Sequence, residues 1–323
     1  MYAIEVKNLV KRFGKITAVD KISLRIKEGE IFGLLGPNGA GKTTTISMLS
    51  TLIRPTSGIA KVAGFDVCKN PLEVRKNIGI VFQEPSVDDL LTGRENLELH
   101  AMLYGMDKSL AKERIEEMLD LVDLTERADS IVRTYSGGMR RRLEIARGLL
   151  HTPKILFLDE PTLGLDPASR RAIWGYIEKI TKEKRITTIL TTHYLEEADS
   201  LCDKIAIIDK GKIVIEGTSD ELKGSIGEDI IRIKGSPNLN NVTKMKFIKK
   251  ISKNHDGYVE FVVDNAAKNL QKLLAKVGDV DSVEVRRVSL DDVFLHYTGH
   301  YIHEESGNDS IMNRIATYRT STR

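Results

Sequence analysis

IFGLLGPNGAGKTT, residues Ile31–Thr44, is the stretch that decides the fold. Ile31–Leu35 reads as a short buried strand. A glycine-rich turn follows, and apolar residues then recur at helical spacing over Lys42–Leu52. The turn fits G-x-x-x-x-G-K-[ST], with Gly36, Gly41, Lys42 and Thr43 in the fixed places. Such a loop can point successive backbone N–H groups at phosphate oxygens, and the helix start adds favourable partial charge. Gly36, Pro37, Asn38, Gly39, Ala40, Gly41, Lys42, Thr43 and Thr44 are therefore candidate nucleotide-phosphate ligands. Lys42 is expected to reach the β and γ phosphates, and the Thr43 hydroxyl to ligate Mg²⁺.

Working outward, KILFLDEP (Lys154–Pro161) reads as an apolar strand ending in two carboxylates. Carboxylates at the C-terminal edge of a parallel sheet stand where such sheets bind ligands. Asp159 is placed to hold Mg²⁺, directly or through water. Glu160 is placed to polarise water for attack on a γ-phosphate. RITTILTTH (Arg185–His193), KIAIIDKG (Lys204–Gly211) and KIVIEG (Lys212–Gly217) read as further strands, with a helical stretch at Tyr194–Cys202. Ala3–Val6 and Ile22–Ile26 alternate like strands near the N-terminus. LTGRENLELHAMLYG and SLAKERIEEMLDLVDL carry helical spacing, so about 86–150 is a helical insert. Strands alternating with helices predict an α/β fold with a largely parallel sheet covered on both faces.

A domain break is expected near Gly217–Gly227. Beyond it, DIIRIKG, GYVEFVVD and DSVEVRRV read as strands and Ala266–Val277 as a helix, a small α+β module. Ser289 and Asp292 form a capping box opening SLDDVFLHYTG, and Gly299 is a stop signal. Residues 301–323 are polar and unpatterned and are expected to form a flexible tail.

With 49 basic against 46 acidic residues, the net charge is +3, too even for bulk nucleic-acid binding. No run reaches the roughly 18 apolar residues of a membrane span, and the N-terminus lacks signal-peptide character. A membrane role must then come through a partner. Cys68 and Cys202 stand alone and are expected to be buried and inert, in keeping with a reducing compartment. The helical spacing of His296, His300 and His303 is broken by Gly299 and reads as ordinary polar surface. The lysines of KMKFIKKISKN read as a solvated strand or loop face.

YSGGMRRRLEIARGLL (Tyr135–Leu150) raises a separate question, because Arg140, Arg141 and Arg142 open a helix at its positive end. Leu143, Ala146 and Leu150 share one apolar face, so at least two of the three arginines are expected to be solvated.

Taken together, these motifs resemble the nucleotide-binding subunit of ABC transporters over about residues 1–220. YSGGM resembles the family's LSGGQ signature, with Tyr135 and Met139 as departures. VFQEPS carries Gln83 at the Q-loop place, LGLD (Leu163–Asp166) resembles the D-loop, and TTH places His193 as the switch histidine. Phe13, in VKRFGKITAVD, matches the aromatic that stacks on adenine.

The resemblance implies a P-loop NTPase cassette. It has a mostly parallel sheet, an antiparallel β subdomain and a helical subdomain, with a small α+β C-terminal domain over 221–300. It implies ATP and Mg²⁺ as cofactors, with Thr43, Gln83 and Asp159 around the metal. Two cassettes, a second copy or a related one, would sandwich ATP between the phosphate loop of one and Ser136, Gly137 and Gly138 of the other. Glu160 would act on water, His193 would contact the γ-phosphate and Asp166 would link the two sites. LTGRENLELHAMLYG, YSGGM and SLDDVFLHYTG further resemble the daunorubicin-resistance type of exporter ATPase. That type implies integral membrane permease partners of the type-2 class, cargo of multidrug, antibiotic or lipid-like kind, and a peripheral place on the cytoplasmic face of the cell membrane. No nucleic acid is expected as a partner. An importer ATPase, a soluble non-transport ABC ATPase and a non-hydrolysing sensor remain alternatives at this point.

Overall fold

The chain opens with two long antiparallel strands, β1 (Tyr2–Phe13) and β2 (Ile16–Lys27). Both run well beyond the expected Ala3–Val6 and Ile22–Ile26. Register shifts interrupt their pairing between Val6 and Leu9 and again before Lys11, and Asn8 has a positive φ of 49°. Each shift breaks the period-two pattern that marks a strand in sequence. The computed structural model describes residues 1–227, 229–235, 239, 242, 245–253, 258–263, 265–278 and 280–299. The expected tail at 301–323 lies outside the described residues, as do His300 and His303. The contacts divide the chain into two compact units, the first ending at Thr218 and the second beginning at Ser219.

In the first unit, β3 (Ile31–Leu35) leads through the glycine-rich turn to α1 (Lys42–Leu49). Next come β4 (Ser57–Val62), β5 (Phe65–Asp66), α2 (Pro71–Lys76) and β6 (Ile78–Val81). The helical insert follows as α3 (Gly93–Leu103), α4 (Lys108–Leu121) and α5 (Gly137–Leu149). α3 starts on a capping box, Thr92 with Glu95. The core then resumes with β7 (Ile155–Asp159), α6 (Pro167–Lys184), β8 (Thr187–Thr192), α7 (Leu195–Leu201), β9 (Lys204–Asp209) and β10 (Lys212–Gly217).

One sheet is antiparallel, in the order β2-β1-β4-β5. The other has the order β10-β9-β3-β8-β7-β6 and is parallel except for the edge pair β10 and β9. Every residue of β3, β7 and β8 is buried, as expected for central strands covered on both faces. Alternation along β7 divides the two cores. Leu156 and Leu158 pack with Leu143, Ile145 and Leu149 of α5. Phe157 packs with Ile46 and Met48 of α1 and with Ile4 and Ile26 of the antiparallel sheet. Truncating Phe157 to alanine would cost about 3–5 kcal/mol.

The second unit opens with α8 (Ser219–Ile226), within the stretch where the domain break is expected. Then come β11 (Asp229–Gly235), β12 (Ile248–Lys253), β13 (Tyr258–Val263), α9 (Ala266–Val277), β14 (Val280–Arg286) and α10 (Leu290–Thr298). The sheet is antiparallel with the order β12-β13-β11-β14. Its core joins Ile231, Ile233 and Phe261 to Leu273 and Val277 of α9. The Ser289–Asp292 capping box starts α10, and Gly299 closes it at a positive φ of 79°. No helix among the described residues is long and apolar enough to cross a membrane.

Candidate functional site

The site is built at the C-terminal ends of β3, β7 and β8. Backbone crowding shapes the turn after β3. A Cβ on Gly36 would lie 2.3 Å from the Ile208 carbonyl oxygen, and one on Gly41 2.5 Å from that of Ala18. Gly41 also holds φ at 107°, which only glycine adopts freely. The loop is held from outside as well: Gly36 N–H donates to the Thr192 carbonyl at 3.2 Å, and Gly211 N–H to that of Ala40 at 2.9 Å. This cradle, with the N–H groups of α1 at its end, is the geometry that receives phosphate oxygens.

Lys42 is 4% exposed. Its ammonium donates to the carbonyls of Gly36 at 2.8 Å and Pro37 at 3.2 Å, and lies 3.1 Å from Glu160 Oε1. The other oxygen, Glu160 Oε2, lies 2.7 Å from His193 Nδ1. Burial by itself would raise the Glu160 pKa, but the His193 hydrogen bond and the Lys42 charge outweigh it and hold the carboxyl below its ordinary value. Glu160 also sits at a positive φ of 48°, an uncommon conformation for a residue with a side chain.

Asp159 takes hydrogen bonds from the Thr191 hydroxyl and, at 3.1 Å, from the Thr43 hydroxyl. Burial raises its pKa, against the pull of those two bonds. The Thr43 and Asp159 oxygens form a hard donor set suited to Mg²⁺. Thr191, which sequence reasoning missed, also accepts from Glu160 N–H at 3.0 Å. Beside it, His193 packs against Tyr194 with ring centroids 4.1 Å apart, and Arg170 lies 3.9 Å over the Tyr194 ring.

The structure therefore brings Lys42, Thr43, Asp159, Glu160 and His193 together. Gln83 lies exposed just beyond β6. Phe13 is at the exposed end of β1, on the hairpin whose Ala18 carbonyl crowds Gly41, and Lys11 stands 4.9 Å over its ring. Asp166 caps α6, accepting from the N–H groups of Ala168 and Ser169 at 3.0 Å each and from the Ser169 hydroxyl at 2.6 Å.

Ser136 caps α5, accepting from Met139 N–H at 3.2 Å. A Cβ on Gly138 would lie 3.2 Å from Ser169 Oγ, so Ser136–Gly138 and the start of α6 meet closely. Tyr135 is buried and donates its hydroxyl to the Arg127 carbonyl at 2.6 Å. Met139 packs as a partly buried apolar side chain.

Of the three arginines after Gly138, Arg141 is buried, while Arg140 and Arg142 are half-buried rather than fully solvated. Arg141 is 7% exposed and bonded throughout. Arg142 donates to the Val122 carbonyl at 2.9 Å and lies over Tyr176. Arg140 donates to the Arg133 carbonyl at 3.1 Å and pairs with Asp89. Backbone carbonyls, which carry no sequence signal, attract these cations. Cys68 is exposed, contrary to expectation, because it follows the two-residue β5 at the sheet edge. Burial pushes the Cys202 thiol well up, so it is no nucleophile at neutral pH.

Known proteins resemble this chain in sequence and fold. The profile of the family described as ABC transporter matches residues 19–163, and that of the ATP-binding protein DrrA1-3-like C-terminal domain matches residues 217–298. The daunorubicin/doxorubicin resistance ATP-binding protein DrrA of Streptomyces peucetius is 40% identical, over 95% of this chain and 96% of that protein. The linearmycin resistance ATP-binding protein LnrL of Bacillus subtilis (strain 168) is 38% identical, over 92% and 98%. Among solved structures, cbiO1 from Clostridium perfringens, part of the ABC transporter complex cbiONQ, superposes with a TM-score of 0.65 at 28% identity, covering 68% of this chain and 90% of that one. A dimeric ATP-binding cassette in a post-hydrolysis state, bound to ADP and Pi, superposes with a TM-score of 0.60 at 29% identity, covering 67% and 98%.

Proposed function

The chain belongs to the ABC transporter ATP-binding family, and from that premise we propose that it is the ATP-hydrolysing subunit that energises a drug exporter. The observation that carries this reading is Glu160, held between Lys42 and His193 above the phosphate loop. The relatives named for daunorubicin, doxorubicin and linearmycin resistance support export of antibiotic-like cargo.

In this reading the N–H groups of Gly36–Thr44 bind the phosphates, and Phe13 stacks on the adenine. Mg²⁺, held by Thr43, Asp159 and Gln83, would neutralise charge developing between the β and γ phosphates. Lys42 leaves Glu160 for the γ-phosphate, and the freed carboxylate orients the attacking water. His193 keeps its hydrogen bond to Glu160 and positions it. Ser136, Gly137 and Gly138 meet the nucleotide of a second cassette, a copy of this chain or a related one. Asp166 lies at the same contact, beside Ser169 and Gly138, and links the two sites. Catalysis is then positioning and electrostatic stabilisation, with closure driving the membrane partner.

Residues 1–220 would form the hydrolytic cassette, and 221–300 an accessory domain for assembly or regulation. The DrrA-like C-terminal match at 217–298 supports that division. With no described helix able to span a bilayer, export requires integral membrane permease subunits, and we assign them to the type-2 class. The chain would then sit peripherally on the cytoplasmic face of the cell membrane.

The test is Glu160→Gln. It should bind ATP as the wild type does, collect as an ATP-bound dimer by light scattering, and lose about 100-fold or more of its turnover. Hydrolysis at the wild-type rate would remove Glu160 from this role.

A further inference from the structure

All five N–H donors of the Arg141 guanidinium are engaged, and four of the bonds go to backbone carbonyls. Nε donates to Pro161 at 2.6 Å, Nη1 to Phe82 at 2.5 Å, and Nη2 to Asp159 at 3.0 Å and Glu160 at 2.9 Å. The fifth bond, from Nη1, goes to Glu144 Oε2 at 2.9 Å. Glu144 is 1% exposed, and its other oxygen accepts from Ser86 N–H at 2.7 Å. One turn on, Arg147 donates to the Ser86 carbonyl at 2.5 Å and to its hydroxyl. Positions i, i+3 and i+6 of α5 thus grip both ends of the segment Phe82–Ser86, which carries Gln83. The same helix grips the backbone on both sides of Glu160.

The strain at Glu160 gives this grip a purpose. A side-chain-bearing residue at φ 48° persists only where its surroundings over-determine it. Its N–H is held by the Thr191 hydroxyl at 3.0 Å and the Thr191 carbonyl at 3.2 Å, and its carbonyl by Leu163 N–H at 3.2 Å and by Arg141 at 2.9 Å. Arg141 also holds the carbonyls on both sides, of Asp159 and Pro161, so removing it loosens the segment Asp159–Pro161 and swings the carboxylate. α5 begins at Ser136–Gly138, so the group fixing Glu160 is rigidly joined to the segment proposed to meet the neighbouring nucleotide.

We propose that Arg141, braced by Glu144, is the positioning residue that aims Glu160 and ties it to the Ser136–Gly138 helix start. This rests on the ATPase reading above. A planar fork is required, because only a guanidinium reaches four carbonyls and a carboxylate at once.

Two full-length variants test it. Arg141→Lys keeps the charge and loses the fork. Arg141→Met with Glu144→Leu removes the buried pair together, which avoids stranding a charge. Active sites are titrated with a fluorescent ATP analogue, so turnover is read per folded site and any loss of folded protein drops out. In both variants, turnover per site should fall about five-fold or more while the analogue's Kd stays within about two-fold, a split expected of misplacement at the reacting centre. A purely structural role would leave turnover per titrated site unchanged. Turnover within five-fold of wild type in both variants, or a matching loss of affinity, overturns the proposal. Failure of the wild-type chain itself to hydrolyse ATP would instead sink the functional reading on which it stands.

Discussion

Glu160 uses its two carboxylate oxygens for two different cations or donors: Oε1 lies 3.1 Å from Lys42 Nζ, and Oε2 lies 2.7 Å from His193 Nδ1. Both neighbours stabilise the charged form, and together they outweigh a burial that would favour the neutral acid. Glu160, just past the end of β7, is thereby kept ionised by its two neighbours.

His193→Ala should move the acid limb of the kcat/KM profile. Glu160 is depressed below its ordinary value in the folded protein, so it stays charged as pH falls. Loss of the His193 bond raises that pKa, and the limb shifts to higher pH. His193→Gln, which retains a donor, should restore part of the shift. Rate–pH profiles of the free enzyme read this directly. An unmoved limb in His193→Ala would mean that another group sets it.

Gly36→Ala should damage the loop through backbone overlap. Its Cβ would meet the Ile208 carbonyl oxygen at 2.3 Å, and β9 is a buried strand that yields little. The expected loss is about 1–3 kcal/mol of stability, with nucleotide affinity falling beyond detection in a thermal-shift titration with ATP.

Tyr135 and Gly93 should couple. A Cβ on Gly93 would stand 2.4 Å from the Tyr135 hydroxyl. Tyr135→Phe removes a buried hydrogen bond to Arg127 and should cost about 1 kcal/mol. Gly93→Ala should cost more in the wild type than in Tyr135→Phe, because the clash is with the oxygen. Denaturant midpoints of the four proteins give the coupling, expected at about 1 kcal/mol. Strict additivity would refute the contact.

His100 should make the protein acid-sensitive. Burial, then the charges of Arg147 and His151, lower its pKa from 6.5 to about 4. The folded protein keeps it neutral while the unfolded chain takes up a proton below 6.5. Stability is therefore intact above pH 6.5 and declines as pH falls toward 4, by about 2 kcal/mol once its partial exposure is allowed for. His100→Phe should flatten that part of the stability–pH curve measured by urea unfolding.

Some of this was legible early because it is local. Gly36–Thr44 announces itself through spacing, since the turn needs glycines at set places whatever surrounds it. Lys154–Pro161 announces an apolar strand with acids at its end. Ala266–Val277 and the Ser289–Asp292 box follow from period and capping alone, and both elements have the expected bounds. β4 carries little strand signal because only Ala60 and Val62 of its six residues are buried, and β6 is four residues with a glycine at its second place. β1 and β2 were foreshortened because bulges reverse the side-chain alternation.

By itself, then, the sequence determined the α/β class, the phosphate loop and the order of the chemical groups along the chain. Each of those rests on bonds and propensities spanning only a few residues. Tertiary structure alone decided what those groups touch. Glu160 meets Lys42 and His193 only because β3, β7 and β8 lie side by side, with Glu30–Leu35 paired to residues more than 150 positions away. Arg141 faces carbonyls rather than water for the same reason. A carbonyl is present at every residue, so its power to attract a cation depends on where the fold aims it and leaves no mark on the order of side chains.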